Sequence, residues 1–214
     1  MLELNQLMPI HLKDRFSEKE SSVWNNQLIV NAGEWIKITA PSGSGKTTLM
    51  HMMYSIRTDY DGTIILDGIN IKNISTSELA IIRQSKMSII FQDLRLFPHL
   101  TAFENIDLKR VLQTPYYEVD KIIEMAETLG ISNILSQKAG ICSYGEQQRI
   151  CIIRALMQPF SWLLMDEPFS HLDNNNKQIA ANLIAQECKK REAALLITDL
   201  DDDDLFIYSR KLFL

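Results

Sequence analysis

The feature that most constrains the fold is a glycine- and serine-rich segment at residues 40–47, which reads Ala-Pro-Ser-Gly-Ser-Gly-Lys-Thr. Residues 35–40 before it are typical of a strand, and residues 46–54 after it are typical of a helix. The segment departs from the pattern GxxxxGK[ST] only at Ala40, where alanine is the smallest alternative to glycine. This order of strand, glycine loop and helix predicts a phosphate-binding loop in an α/β fold.

The residue types of this loop fit an anion. Glycines and small residues let backbone N–H groups converge on phosphate oxygens, and the helix that follows adds the partial positive charge of its N-terminus. Lys46 can reach the β- and γ-phosphates, and the Thr47 hydroxyl can ligate Mg²⁺. We therefore predict that ATP and Mg²⁺ are bound by Pro41, Ser42, Gly43, Ser44, Gly45, Lys46, Thr47 and Thr48.

Two acidic residues follow the wholly apolar run 162–165. Runs of this kind, here and at 194–197, suit strands that are covered on both faces of a parallel sheet. Such a sheet aligns the ends of its strands, so Asp166 and Glu167 should lie beside the phosphate loop. Asp166 would then hold Mg²⁺ through water, and Glu167 would orient and polarise an attacking water.

The rest of the chain completes an α/β pattern. Residues 62–71 predict an antiparallel hairpin at the edge of the main sheet, with its turn at Asp67-Gly68. The pattern is helical from residue 92 to about 154, and strands then return. We expect one domain over residues 1–214, with a core formed by 1–91 and 155–214 and an inserted α-helical lobe at about 92–154.

Composition excludes several classes of protein. The net charge of −5, without a run of Lys and Arg, argues against nucleic-acid binding. The three widely spaced cysteines, Cys142, Cys151 and Cys188, are expected to be buried free thiols. The N-terminus lacks the features of a signal peptide, and no apolar run reaches the roughly 18 residues that span a bilayer. We expect a cytoplasmic protein that does not insert into the membrane.

Five segments in one order resemble the ATP-binding cassette (ABC) family. They are residues 40–47, Gln92 after the strand-like run 87–91, residues 142–149, Asp166-Glu167, and residues 170–173. The resemblance implies a P-loop NTPase core with a mostly parallel sheet, an antiparallel β edge and an inserted helical lobe. Residues 91–101 are similar to cassettes of the lipoprotein-release, macrolide-export and cell-division type.

The resemblance also implies roles for single residues. Gln92 would sense Mg²⁺ and the γ-phosphate. Residues 142–149 would form the signature motif, whose Ser143, Gly145 and Glu146 would bind the γ-phosphate of ATP held by the opposite subunit. Asp173 would lie in the loop that crosses the dimer interface. Phe16 is the candidate for stacking on adenine.

Two residues depart from the family pattern. Tyr144 replaces a signature glycine, and its ring could crowd the approach of the backbone to phosphate. Asp199 stands after the last core strand, where the family carries a histidine, and a carboxylate is repelled by a γ-phosphate. Either Asp199 points away, or hydrolysis is slow, or the partner subunit supplies the missing group.

Three functions compete at this point. The first is an ATPase subunit that works as a homodimer beside integral membrane transporter subunits, at the inner face of the membrane, with Lys46, Gln92 and Glu167 as its catalytic residues. The second is a regulatory module that binds ATP with weak or no hydrolysis, which Tyr144 and Asp199 would permit. A small-molecule kinase is the third, but it leaves residues 142–149 unexplained.

Overall fold

The computed structural model describes residues 1–13, 21–202 and 204–214. In these residues, nine strands form two sheets. The larger sheet has five strands in the order β6-β7-β8-β3-β9, and all of them are parallel. Its strands are β3 (Trp35–Thr39), β6 (Met87–Ile90), β7 (Trp162–Asp166), β8 (Ala194–Asp199) and β9 (Arg210–Phe213). Because all five strands run the same way, their carboxyl ends meet at one edge, as the sequence predicts.

Both faces of the parallel sheet are buried. Along β7, Leu163 and Met165 point into one apolar core, while Trp162 and Leu164 point into the other. This alternation is the period of two that a strand imposes on its side chains. Helices cover one face, and the second sheet with the helix after the glycine loop covers the other. The apolar strand runs in the sequence thus have their predicted cause.

The second sheet is antiparallel, with four strands in the order β2-β1-β4-β5. They are β1 (Leu2–Pro9), β2 (Gln27–Val30), β4 (Tyr60–Leu66) and β5 (Ile69–Asn70). The hairpin predicted around Asp67-Gly68 is present, but its predicted place at the edge of the main sheet is wrong. It joins the antiparallel sheet instead, where β1 pairs with β2 on one side and with β4 on the other, so that the backbone hydrogen bonds of β1 are satisfied at both edges.

Six α-helices lie in the described part of the chain. They are α1 (Lys46–Met53), α2 (Thr76–Ser85), α3 (Ala102–Val111), α4 (Asp120–Thr128), α5 (Tyr144–Leu156) and α6 (Asn174–Lys190). Helices α2, α3 and α5 each begin with a capping box, formed by a Ser or Thr and a Glu three residues later. In α3 the box is formed by Thr101 and Glu104. Helices α3, α4 and α5 contact one another and form the helical part of the inserted segment.

The three cysteines are free and buried, as predicted. Burial raises the pKa of Cys151 to about 11 and that of Cys188 to about 12, so both remain thiols at neutral pH. No helix in the described parts of the chain is both long enough and apolar enough to cross a bilayer.

Candidate functional site

The glycine loop leaves the carboxyl end of β3, which lies between β8 and β9 in the parallel sheet. The Ala40 N–H donates to the Asp199 carbonyl at 3.1 Å, which ties the loop to the end of β8. Gly45 has a φ of 98°, and a Cβ there would meet Leu12 and Trp24 at 3.0 Å. Glycine is therefore required twice at this position, for its backbone conformation and for the close approach of two side chains.

Leu12 and Trp24 are part of the site, and sequence reasoning missed both. The indole of Trp24 is buried and donates to the Ser44 carbonyl at 3.4 Å, so it packs against the glycine loop and supports it. Leu12 lies at the mouth of the cavity beside the loop. Neither residue belongs to a motif, and both reach the loop from the antiparallel part of the fold through tertiary packing alone.

Lys46, the first residue of α1, is buried within the loop. Its Nζ donates to the carbonyls of Ala40 at 2.9 Å and Pro41 at 3.2 Å. The same Nζ lies 3.3 Å from Glu167 Oε1. The predicted loop cation and the predicted general base are therefore in direct contact across the sheet edge.

Gln92 joins the two sides of the site. The Thr47 hydroxyl donates to Gln92 Oε1 at 3.1 Å, and Gln92 Nε2 donates to Glu167 Oε2 at 3.1 Å. These bonds connect the glycine loop, the segment after β6 and the acidic pair after β7. A ligand that contacts Thr47 is therefore linked to Glu167 through the side chain of Gln92.

The acidic pair occupies the end of β7. Asp166 is buried, and its Oδ1 accepts a hydrogen bond from the Thr198 hydroxyl at 2.7 Å. The other oxygen, Oδ2, is buried without a hydrogen-bond partner among the described residues. Glu167 has a φ of 44°, which is rare for a residue that carries a side chain. An unpaired buried oxygen and a left-handed backbone at one strand end are typical of a functional site.

These residues surround one cavity of about 240 Å³. Most of the predicted loop and catalytic residues line it, with Leu12 in addition: Ser42, Gly43, Gly45, Lys46, Thr47, Thr48, Gln92 and Glu167. Pro41 contributes the carbonyl that binds Lys46, and the buried Ser44 supports the turn. The three segments that the sequence predicts to form one phosphate site therefore meet at one cavity, and their binding of phosphate stays a prediction.

The residues of the 142–149 segment lie elsewhere. Ser143 caps α5 in a box with Glu146, whose carboxylate accepts from the Ser143 N–H at 2.8 Å. Hydrogen bonds from Ser143 hold the pKa of Glu146 below its usual range. A Cβ on Gly145 would come within 3.0 Å of the His171 carbonyl. None of Ser143, Gly145 and Glu146 lines the cavity at Lys46.

Comparison with known proteins decides the family. The model of the ABC transporter family matches residues 23–170. The chain belongs to the ABC transporter family. It is 35% identical over 176 residues to the Bacillus subtilis ABC transporter ATP-binding protein YvcR, covering 81% of this chain and 68% of that protein. ATP binding and hydrolysis are the chemistry of such a cassette, and the predicted resemblance is confirmed.

Two further relatives support this assignment. The lipoprotein-releasing system ATP-binding protein LolD of Psychrobacter arcticus is 31% identical over 190 residues, covering 87% of this chain and 84% of LolD. The dimeric structure of MJ0796, described as a bacterial ABC transporter cassette, superposes with a TM-score of 0.80 at 25% identity. The superposition covers 94% of this chain and 88% of that one, so the cassette fold extends over essentially the whole molecule.

Asp199 is the place where this cassette departs most from the expected chemistry. It pairs with Thr39 across β3 and β8, at the level where the glycine loop begins. Its Oδ1 accepts the Leu200 N–H at 2.7 Å, which fixes one carboxylate oxygen on its own backbone. A negative group therefore stands at the strand end that neighbours the phosphate loop.

The adenine-stacking prediction falls on Phe16, which lies outside the described residues. Asp173 is exposed and caps α6, where its Oδ1 accepts the Asn176 N–H at 2.8 Å. It belongs to the loop that follows Glu167. This loop is anchored at one end by the Glu167 N–H, which donates to the Thr198 carbonyl, and at the other end by the Asp173 cap.

Proposed function

We propose that this cassette works as a homodimer that binds Mg-ATP between the glycine loop of one copy and the α5 start of the other. One observation carries the proposal: Ser143, Gly145 and Glu146 do not line the cavity at Lys46 within one protomer. A second copy brings the two half-sites together around one nucleotide. Two identical copies form two such sites by symmetry.

The site fits Mg²⁺ through oxygen ligands. Asp166 Oδ2 has no hydrogen-bond partner among the described residues, and the Thr47 hydroxyl and Gln92 Oε1 lie 3.1 Å apart on two residues that line the cavity. Magnesium takes few protein ligands and completes its shell with water and phosphate oxygens. Thr47, Gln92 and Asp166 would hold it, Asp166 through water. Once bound, the ion would neutralise charge on the β- and γ-phosphates.

The residues of the chain then divide the work of hydrolysis. The loop N–H groups and Lys46 bind the phosphates, and Glu167 orients a water and accepts its proton. The water oxygen bonds to the γ-phosphorus while the bond to the β–γ bridging oxygen breaks, so ADP leaves with the electron pair. Gln92 reports phosphate contact because its amide bridges Thr47 and Glu167.

Membrane transporter subunits would dock on the groove between the parallel sheet and α3. This groove has a volume of about 300 Å³ and is lined by Tyr54, Ile89, Phe91, Arg95, Phe97, Leu108, Lys109, Leu112, Arg154 and Ala155. Phe97 and Leu112 are 56% and 59% exposed, which leaves apolar surface for a partner. The chain would itself stay in the cytoplasm and bind no nucleic acid.

The connection from Gln92 to this groove is short and constrained. Leu94 and Arg95 have φ values of 59° and 48°, and Arg154 donates to both of their carbonyls. The segment thus forms a rigid bend between the phosphate site and Phe97. Movement of Gln92 on hydrolysis would be transmitted along it, which agrees with a lobe formed by residues of about 92–154 and a core formed by 1–91 and 155–214.

The test compares Lys46→Ala and Glu167→Gln with the wild type. We expect Lys46→Ala to abolish ATP binding at micromolar nucleotide, and Glu167→Gln to keep binding but lower phosphate release about 100-fold or more. Binding is measured by calorimetry, dimerisation by sedimentation with Mg-ATP, and turnover by phosphate release. Full turnover in Glu167→Gln, or nucleotide binding without Lys46, would refute the proposal.

A second function, a regulatory module with little hydrolysis, is favoured by one observation. Asp199 pairs with Thr39 at the end of β8, beside the start of the glycine loop, and so places a carboxylate where the resemblance implies a histidine. Wild-type protein that forms the ATP-bound dimer but releases phosphate at the background rate would support this alternative.

A further inference from the structure

Among the described residues that line the cavity at the glycine loop, Lys46 is the single cation, and none is a histidine. Lys46 itself is shared between two carbonyls and Glu167. As charge develops on the γ-phosphate oxygens, hydrolysis needs a further N–H there, and Asp199 does not supply one while ionised.

An imidazole that the catalytic scheme has not used lies beside the second half-site. His171 is exposed, and its ring contacts that of Tyr144 with 5.2 Å between centroids and an angle of 36° between planes. Tyr144 directly follows Ser143, the residue at the start of α5. The two residues thus form a ring pair on the surface that meets the nucleotide of the other copy in the proposed dimer.

The backbone under this ring pair is held in place. The His171 carbonyl lies where a Cβ on Gly145 would be within 3.0 Å, so the loop rests directly on the helix start. Leu172 is buried next to it, and Asp173 caps α6. Tyr144 therefore loses the close approach of backbone to phosphate that the family's glycine allows at this position. In return, its ring gives the His171 ring a flat surface on which to pack.

We propose that His171 of each protomer donates an N–H hydrogen bond to the γ-phosphate held at Lys46 of its partner. This inference rests on the proposed function, because it requires the nucleotide to lie between two copies. The imidazole keeps its proton. The water proton still passes to Glu167, and the leaving electron pair still goes to ADP. His171 then offsets Asp199 across the dimer interface, with Tyr144 positioning its ring.

The first test is a single substitution with a matched control. We expect His171→Ala to lower phosphate release about tenfold or more, a typical effect for loss of one donor to a developing oxyanion. His99→Ala removes another exposed histidine as the control. His99 does not line the surface cleft that Tyr144 and His171 line, so this change should leave turnover unchanged. Melting temperatures check that both variants fold, and ATP-dependent sedimentation checks that both dimerise.

The decisive test mixes two variants that each have low turnover. In a dimer of one Glu167→Gln protomer and one His171→Ala protomer, one site has both an intact Glu167 and the partner's intact imidazole. Equal mixing should restore roughly a quarter of wild-type turnover, since half of the dimers are mixed and each has one competent site. An imidazole that acted within its own protomer would give no restoration, because each site would then lack one group.

Each outcome has a definite meaning. Wild-type turnover in His171→Ala, or an inactive mixture in which mixed dimers are shown to form, overturns this inference but leaves the ATP-bound dimer intact. Background turnover by the wild-type dimer overturns it as well and favours the regulatory module. Loss of nucleotide binding or of ATP-dependent dimerisation in the wild type itself would instead contradict the proposed function.

Discussion

The molecule contains two buried ion pairs that differ in what surrounds them. In one, Lys46 and Glu167 are 5% and 11% exposed and lie beside a cavity. In the other, Arg191 and Glu187 are 2% and 6% exposed and lie in the apolar core around α6. Both remove opposite charges from water, which is costly unless hydrogen bonds satisfy the remaining atoms.

The pair on α6 has its partners within the chain. Arg191 also donates to the Leu156 carbonyl at 2.9 Å, and its guanidinium stacks 4.4 Å from the centroids of Tyr116 and Phe160. The Tyr117 hydroxyl donates to Glu187 at 2.7 Å, and burial together with this bond raises the pKa of Tyr117. This pair connects α6 to the helices around it, and Arg191 Nε is its one buried side-chain atom without a hydrogen-bond partner among the described residues.

The pair at the phosphate loop is less complete. Among the described residues, the Glu167 carboxylate pairs with the side chains of Lys46 and Gln92, and the neighbouring Asp166 Oδ2 has no hydrogen-bond partner. The difference between the two pairs shows that burial of charge alone does not identify a ligand-binding site. A buried pair next to unsatisfied oxygens and open volume does, because a ligand is what completes its interactions.

The largest expected effect separates the two pairs by stability. Glu187→Gln should lower the free energy of unfolding by about 3 kcal/mol, because it leaves Arg191 as an uncompensated buried charge. Glu167→Gln should change it by less than about 1 kcal/mol, since Lys46 lines a cavity in which water can solvate its charge. Urea denaturation without nucleotide measures both. The exposed Glu127→Gln on α4 is the control, and equal losses in the two pairs would end the distinction.

A second prediction concerns Lys109, a partly buried cation in the groove that is proposed to receive the membrane subunits. Burial, aided by Arg154 and Arg83, lowers its pKa from 10.5 to about 8. The folded protein therefore loses this proton before the unfolded chain does, and stability should rise from pH 8 to 10.5 by about 2 kcal/mol from this group. Below pH 8 the cost of the buried charge is fully present.

Lys109→Met tests this directly. The variant should be more stable than the wild type at pH 7, and the stability difference between the two should shrink as the pH rises to 10. Paired urea denaturation curves at pH 7, 8.5 and 10 give the difference. A constant difference across this range would show that Lys109 titrates outside it.

The smallest effect concerns Asp199, the charge that weakens the incomplete site. Asp199→His should raise turnover about tenfold, or about 1.4 kcal/mol in the barrier, because an imidazole donates where a carboxylate repels. Asp199→Asn removes the charge alone and should give a smaller gain. In the His171→Ala background the gain from Asp199→His should be larger still. Phosphate release shows this, and no gain in either background would contradict our interpretation of the strand end.

The sequence alone determined the phosphate loop, the acidic pair and the parallel strands, because each is a local pattern with one backbone solution. Glycines at fixed spacing, an apolar run that ends in two acids, and capping residues before helices all act over a few residues. Their roles in catalysis and metal binding stay predictions, as do the domain limits.

Only the tertiary structure showed which distant residues meet. Trp24 and Leu12 support the loop across the gap between two sheets, the hairpin at Asp67-Gly68 joins the antiparallel sheet, and Tyr144 contacts His171. Such contacts depend on how layers pack and not on spacing along the chain, so no motif records them. The physical reason is that local propensity fixes the elements, whereas burial of their apolar faces decides which elements become neighbours.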